Sequence, residues 1–159
     1  MAKQNQKKDA KGKHVYDESK IKTLSSLDHI RTRTGMYIGR IVSVAQTRDN
    51  RLAGIYRVSS RSFPNRTAVA GEDKVSIVPK PGFETDVQKN PYIAYNCVRV
   101  ACGGAVAVVT NGSQTEFIAE KMELGAPARD ALVLASLALD YEKDKYNAPR
   151  VSAVADKRN

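Results

Sequence analysis

Between Asp17 and about Arg33 the apolar residues Ile21, Leu24, Leu27 and Ile30 return every third position. That spacing predicts a helix, with Asp17 or Ser19 as N-cap and Thr34-Gly35 as its end. Beyond Gly35 the pattern becomes that of strands. Tyr37–Ala45 is rich in β-branched residues, Gln46–Arg51 is a polar turn, and Leu52–Val58 reads as the hairpin partner. Ser59–Thr67, broken by Pro64-Asn65, reads as an irregular loop, and Lys74–Val78 as a short strand stopped by Pro79 and the Pro81-Gly82 turn. Tyr92–Ala101 and Ala105–Thr110 predict two strands around Cys102-Gly103-Gly104, and their near-continuous apolar character suggests cover on both faces.

Two helices are expected next. Glu116–Leu124 stops at Gly125, and Pro127 opens a second helix running to about Lys143. Its ALVLASLAL stretch is apolar almost all round, so burial on most sides is expected. Arg150–Ala155 reads as one more strand, and the Lys-rich residues 1–14 as a disordered basic tail. Strands before helices indicate an α+β layered domain rather than a Rossmann alternation.

Composition narrows the class. With 159 residues, 42% of them apolar, the chain suits one folded domain. No apolar run approaches the ~18–20 residues of a membrane helix. No apolar stretch follows the N-terminal charges, so no secretory signal and a cytoplasmic protein are expected. The two cysteines make no disulfide framework. They make no zinc site either, since Cys97 and Cys102 lack a second ligand pair and both His lie far upstream. The net charge of +9 divides unevenly, +6 in residues 1–40 and +3 in the rest. The excess is chiefly that of a solvated tail, with a basic nucleic-acid-binding module as the alternative.

Four segments carry candidate chemistry. Arg57, Ser60, Arg61, Asn65 and Arg66 lie in RVSSRSFPNR, either a phosphate-binding loop or a solvated basic turn. Tyr92, Tyr95 and Asn96 in NPYIAYN combine aromatic faces with hydrogen-bonding edges, suited to a purine-like heterocycle or simply to a core strand. TNGS is first a turn signal, and Asn111, Gly112 and Ser113 also form a donor set for a phosphate or oxyanion at the following helix. LDYEKD holds Asp140, Glu142, Lys143 and Asp144, a polar helix end or a Lys–carboxylate pair at a pocket rim. There is no Walker loop, GxSxG or HExxH, and neither His lies beyond residue 36, which excludes a Ser–His–Asp triad there.

MYIGRIVSV (36–44), YRVSSRSFPNRT (56–67), NPYIAYNCVRV (90–100), VTNGS (109–113) and LDYEKDKYNAPR (139–150) occur in order, and over residues 36–150 the chain resembles archaeal-type IMP cyclohydrolase. The resemblance implies a four-layer αββα sandwich of the Ntn-hydrolase type. It also implies closure of the purine ring of 5-formamidoimidazole-4-carboxamide ribotide to IMP with loss of water, needing no cofactor or metal. It places the substrate phosphate near Arg57, Ser60, Arg61 and Arg66, with Asn65 and Ser113 completing the binding set. The heterocycle would lie near Tyr95, Asn96 and Asn111, with Tyr95, Glu142 and Lys143 as candidates for proton transfer or carboxamide orientation. The implied partners are a nucleotide substrate and further copies in a homo-oligomer, not nucleic acid or membrane.

Residues 14–40 instead resemble the start of the DNA gyrase B or topoisomerase IV ATPase subunit, through Tyr-Asp-x-Ser-x-Ile from Tyr16 and Arg-x-Arg-x-Gly-Met-Tyr-Ile-Gly from Arg31. Thr34 stands where that family has Pro. The chain therefore reads as a fusion at MYIGR: a tail over 1–14, a gyrase B-like helical segment over 15–35, and a cyclohydrolase-like domain over 36–159. The metal-binding Asn, adenine-binding Asp and Gly-rich lid of the ATPase family are missing, so a topoisomerase remnant would hydrolyse no ATP. Cyclohydrolase chains continue past the DYEKD…PR stretch, so the resemblance implies a C-terminally truncated domain lacking a last strand or helix.

Overall fold

The computed structural model describes residues 39–60, 63–143 and 147–158. The basic tail, the 17–33 helix, the gyrase B-like segment, Arg61 and Asp144 lie outside the described residues.

The first hairpin follows the β-branched runs. β1 (Arg40–Gln46) pairs antiparallel with β2 (Leu52–Val58), in register from Arg40 opposite Val58 to Gln46 opposite Leu52. Its turn closes through Thr47 N–H to Arg51 O at 2.8 Å, with Asn50 at φ 61, a left-handed position that Asn tolerates. A second sheet has five antiparallel strands in sequence order: β3 (Arg66–Ala70), β4 (Lys74–Pro79), β5 (Tyr95–Ala101), β6 (Val106–Thr110) and β7 (Ser152–Asp156).

β3 takes the last two residues of the loop expected over Ser59–Thr67 and runs on to Ala70, where no strand was expected. It is an edge strand whose last four residues are exposed, so no buried face stamps an alternation on its sequence. Two short turns were also illegible. α1 (Thr85–Lys89) buries nothing, and a 3-10 turn (Pro91–Ile93) occupies residues expected to begin a strand. Pro91 supplies its first position, and the Asn90 side chain accepts from Tyr92 N–H at 2.9 Å.

The hairpin packs on one face of the five-stranded sheet, and α2 (Gln114–Glu123) and α3 (Ala128–Leu139) pack on the other. β6 is buried throughout, as its apolar run requires. Val106 and Val108 meet Ile118, Ala119, Met122 and Ala135 in the helix-side core. Val109 turns to the hairpin, so close that a Cβ on Gly54 would lie 2.8 Å from its Cγ2. In β5 the register slips: Val75 faces Val98 and Ser76 faces Asn96, leaving Cys97 as a bulge. Cys97 and Val98 then share the hairpin-side core with Ile77, Tyr95, Tyr56 and Val58. Arg99 is sent to the helix side, 3.7 Å from Glu116 and 3.8 Å from Glu123.

α3 departs from expectation twice. It ends at Leu139, where Asp140 takes φ 50, not near Lys143. It is also buried on one side only: Ala131 and Ala135 pack inward, while Val133, Leu134 and Leu137 are exposed, the last at 77%. Small residues at i and i+4 let α3 approach closely, a choice of face that an all-apolar sequence does not encode. Among the described residues no helix is long and apolar enough to cross a membrane.

Candidate active site

A cavity of about 480 Å³ opens where the ends of several elements converge. Arg40 enters from the start of β1, Ser60 from the end of β2, Arg66 from the start of β3 and Tyr92 from the 3-10 turn. Asn111 follows β6, and Glu142 follows α3. The volume lies within the ~300–1,000 Å³ of small-molecule sites.

The hairpin's open end is held by Ser59 N–H to Gly39 O at 2.7 Å. In the loop beyond, Ser60 Oγ accepts from Phe63 N–H at 3.1 Å, and Arg66 Nε donates to Phe63 O at 3.2 Å. This fixes the Arg66 side chain through Nε and leaves its terminal amino groups for an anion, in the fork geometry that suits phosphate.

Glu142 is 1% exposed. The left-handed residue Asp140 breaks the helix and swings the chain inward, and Glu142 N–H to Ala148 O at 3.0 Å pins the loop. Arg40 Nη2 lies 3.5 Å from Glu142 Oε2. The next residue points elsewhere. Lys143 Nζ pairs with Asp140 at 2.7 Å and sits 3.7 Å from the centre of the Tyr141 ring. That hydrogen bond holds the Asp140 carboxyl below its ordinary pKa and the Lys143 ammonium above its own.

Asn111 is wholly buried and its amide is used on both ends. Its Oδ1 accepts from Val151 N–H at 2.7 Å and from Gln114 Nε2 at 2.9 Å, and its Nδ2 donates to Pro149 O at 2.9 Å. Pro149 and Val151 are themselves cavity wall. Asn111 thus ties the β6 turn to the segment leading into β7.

Tyr95 sits in the hairpin-side core rather than on the cavity wall. Its hydroxyl is 2.6 Å from that of Tyr56, with the rings edge to face at 6.2 Å. Burial pushes both phenols above their ordinary pKa, against the opposing charges of Arg40 and Arg66, so both are protonated at neutral pH. Burial also pushes the Cys97 thiol up to about 11, which leaves no thiolate nucleophile there at neutral pH. Among the described residues no three His, Cys, Asp or Glu gather as a metal site.

Of the residues singled out from sequence, Ser60, Arg66, Tyr92, Asn111 and Glu142 meet at the cavity. Arg57 is exposed on the outer face of β2, because strand alternation turns Tyr56 and Val58 inward. Asn96 lies on the helix face, bonded to Ser76 and Glu116, away from its neighbour Tyr95. Asn65 is away from the cavity wall and accepts from Lys80 N–H through its backbone carbonyl. Ser113 is exposed at the start of α2, where its hydroxyl accepts from Arg150 at 3.3 Å. Arg40 was missed. It stands as one cation opening an apolar strand in MYIGRIVSV, and only the turn of β1 toward Glu142 gives it a role.

A family model described as IMP cyclohydrolase-like protein matches residues 37–159. The chain belongs to this family. Over 123 residues it is 56% identical to the IMP cyclohydrolase of Methanocella arvoryzae, covering 77% of this chain and 59% of the relative. Over 116 residues it is 51% identical to that of Methanosphaera stadtmanae, covering 73% and 56%. The IMP cyclohydrolase of Haloquadratum walsbyi is 46% identical over 119 residues, covering 75% and 56%. The chain therefore spans 56–59% of the length of these relatives. The family match begins at residue 37.

Proposed function

We propose that the cavity closes the purine ring of 5-formamidoimidazole-4-carboxamide ribotide, giving IMP and water. The observation that carries this reading is a buried carboxylate, Glu142, in a nucleotide-sized cavity that also holds two guanidinium groups, in a chain of the cyclohydrolase family. Arg66 and Ser60 take the substrate phosphate, and Arg61 follows Ser60 in the sequence. The heterocycle lies against Tyr92 and the apolar wall of Val58 and Ile93. Glu142 accepts a proton from the carboxamide nitrogen as that nitrogen attacks the formyl carbon. It returns that proton to the formyl oxygen, which becomes a ring hydroxyl, and then carries the formamido N–H proton to this hydroxyl, which leaves as water as the C=N bond forms and the carboxylate is restored. Holding both ends of one substrate together supplies the rest of the acceleration. Arg40 keeps the Glu142 carboxylate aimed and charge-compensated.

The same reading assigns the ββα layering to a four-layer αββα sandwich, and the protein to a cytoplasmic homo-oligomer working without a cofactor. Residues 15–35 are then a gyrase B-like addition that takes no part in the reaction.

The test is direct. Purified chain mixed with the formylated ribotide is expected to raise IMP absorbance. Glu142→Gln should lower kcat about 10²–10⁴-fold, the usual worth of a positioned acid–base group, with IMP binding retained. Arg66→Ala should raise KM. No IMP from a folded chain that still binds IMP would make this a non-catalytic nucleotide-binding module.

A further inference from the structure

Tyr92 reaches the cavity on a turn that packing holds at one residue. Of Pro91, Tyr92 and Ile93 in the 3-10 turn, Ile93 alone is buried. Tyr92 belongs to neither apolar core among the described residues, and α1, just before the turn, buries nothing. Asn90 stands between the two elements and serves both. Its backbone N–H donates to Asp86 O at 3.1 Å, closing α1, and its carbonyl accepts from Ile93 N–H at 3.4 Å. Pro91 has no N–H, so Tyr92 supplies the first donor of the new turn, and Asn90 Oδ1 accepts from it at 2.9 Å. Asn90 is itself buried, and Asn90, Tyr92 and Ile93 all line the cavity.

We infer that Asn90 is a positioning residue for Tyr92: its side-chain oxygen fixes the backbone from which Tyr92 forms the wall for the nucleotide's heterocycle. This deepens the cyclohydrolase reading and rests on it. An extended residue, here at φ -151 and ψ 104, can turn a short side-chain oxygen back onto the N–H two residues on. An alanine in its place offers no acceptor, and the Tyr92 N–H must then turn toward another partner. Buried Ile93 stays where packing holds it, so the displacement falls on Tyr92 and on the wall it forms. The substrate's imidazole is flat and aromatic both before and after ring closure. Tyr92 therefore meets ground state and transition state alike, and its placement governs binding rather than the chemical step.

Asn90→Ala, Asn90→Ser and Tyr92→Ala test the inference. Asn90→Ala is expected to raise KM for the formylated ribotide, and Kd for IMP by calorimetry, about 3–10-fold. Its kcat should change less than about twofold, the pattern of lost uniform binding. Asn90→Ser, which restores a capping oxygen, should recover most of that loss. In a Tyr92→Ala background Asn90→Ala should weaken IMP binding no further, because its effect passes through Tyr92. Losses that add in the double variant would show that Asn90 meets the nucleotide itself, and an equal loss in Asn90→Ser would show that the cap is not the cause. Either result overturns the inference, as does a loss confined to kcat. A ligand-free readout separates this claim from the reading beneath it. In a fluorotyrosine-labelled chain the Tyr92 ¹⁹F resonance, assigned by its disappearance in Tyr92→Phe, should shift in Asn90→Ala and return toward its wild-type position in Asn90→Ser. A resonance that stays in place in Asn90→Ala would defeat the positioning role, whereas a wild-type chain that fails to bind IMP would defeat only the nucleotide reading.

Discussion

Arg40 and Glu142 stand 102 residues apart in sequence, yet Arg40 Nη2 reaches to 3.5 Å from Glu142 Oε2 at the cavity. The carboxylate is 1% exposed and the guanidinium side chain 24%. The pair joins the first strand of the hairpin to the loop after the last helix, across both sheets. Removing one member of a fully buried pair costs about 3–5 kcal/mol, and the partial exposure of Arg40 lowers that figure.

Arg40→Met is therefore expected to destabilise the chain by about 1–3 kcal/mol in urea unfolding. In a Glu142→Gln background, where no charge needs compensation, the same change should cost under about 1 kcal/mol. Equal costs in the two backgrounds would show that the pair is not coupled.

Gly112→Ala probes crowding behind the site. The added Cβ meets Gln114 Oε1 at 2.7 Å and Glu142 Oε1 at 3.2 Å, and both side chains are buried. Overpacking of this kind costs about 1–3 kcal/mol, and here it also displaces the candidate acid–base group. The expected result is a lower melting temperature together with weaker IMP binding. A variant that melts and binds as the wild type does would show that the pocket behind Asn111 has room to spare.

Gly54→Ala addresses how the hairpin seats on the larger sheet. Its Cβ would approach Val109 Cγ2 at 2.8 Å and Val98 Cγ1 at 3.4 Å, so one sheet must shift from the other. A loss of about 1–3 kcal/mol is expected, and Val109→Ala should recover part of it by making space. If the two changes prove additive, the hairpin does not rest on Val109.

Alkaline pH should unfold the protein from its hairpin-side core. The Cys97 thiol loses its proton near 9 in the unfolded chain and near 11 in the folded one, because burial opposes the thiolate. Its contribution to stability is complete below pH 9 and disappears as pH rises toward 11. Tyr56 and Tyr95, also raised by burial, act in the same direction above about pH 10. Urea midpoints measured from pH 8 to 11 should fall, and Cys97→Ala should flatten the part of that fall between 9 and 11. An identical slope in the variant would remove the thiol from this account.

The strand runs of β1, β2, β4, β5 and β6 and the helix α2 were legible because each carries an apolar pattern that matches its own burial, whereas α3 was legible as a helix but not in the face it buries. β3 was not, since an edge strand with an exposed face has nothing to alternate against. The end of α3 was missed for a related reason: LDYEKD continues a helical sequence, and only the left-handed turn at Asp140 breaks it. Within the site, Ser60, Arg66, Asn111 and Glu142 were accessible as polar residues in loops beside strands. Arg40 was not, being the first residue of a strand.

By itself the sequence determined the family, the α+β class and most of the elements, since these depend on local periodicity and on stretches of residues read in order. Only the tertiary structure decided which polar residues share a cavity. Strand alternation sends Arg57 and Tyr56 to opposite faces, and Asn96 and Tyr95 likewise, although both pairs are adjacent in the chain. The meeting of Arg40 with Glu142, and of Arg150 with Gln114, depends on how segments distant in sequence close on one another, and no local pattern records that.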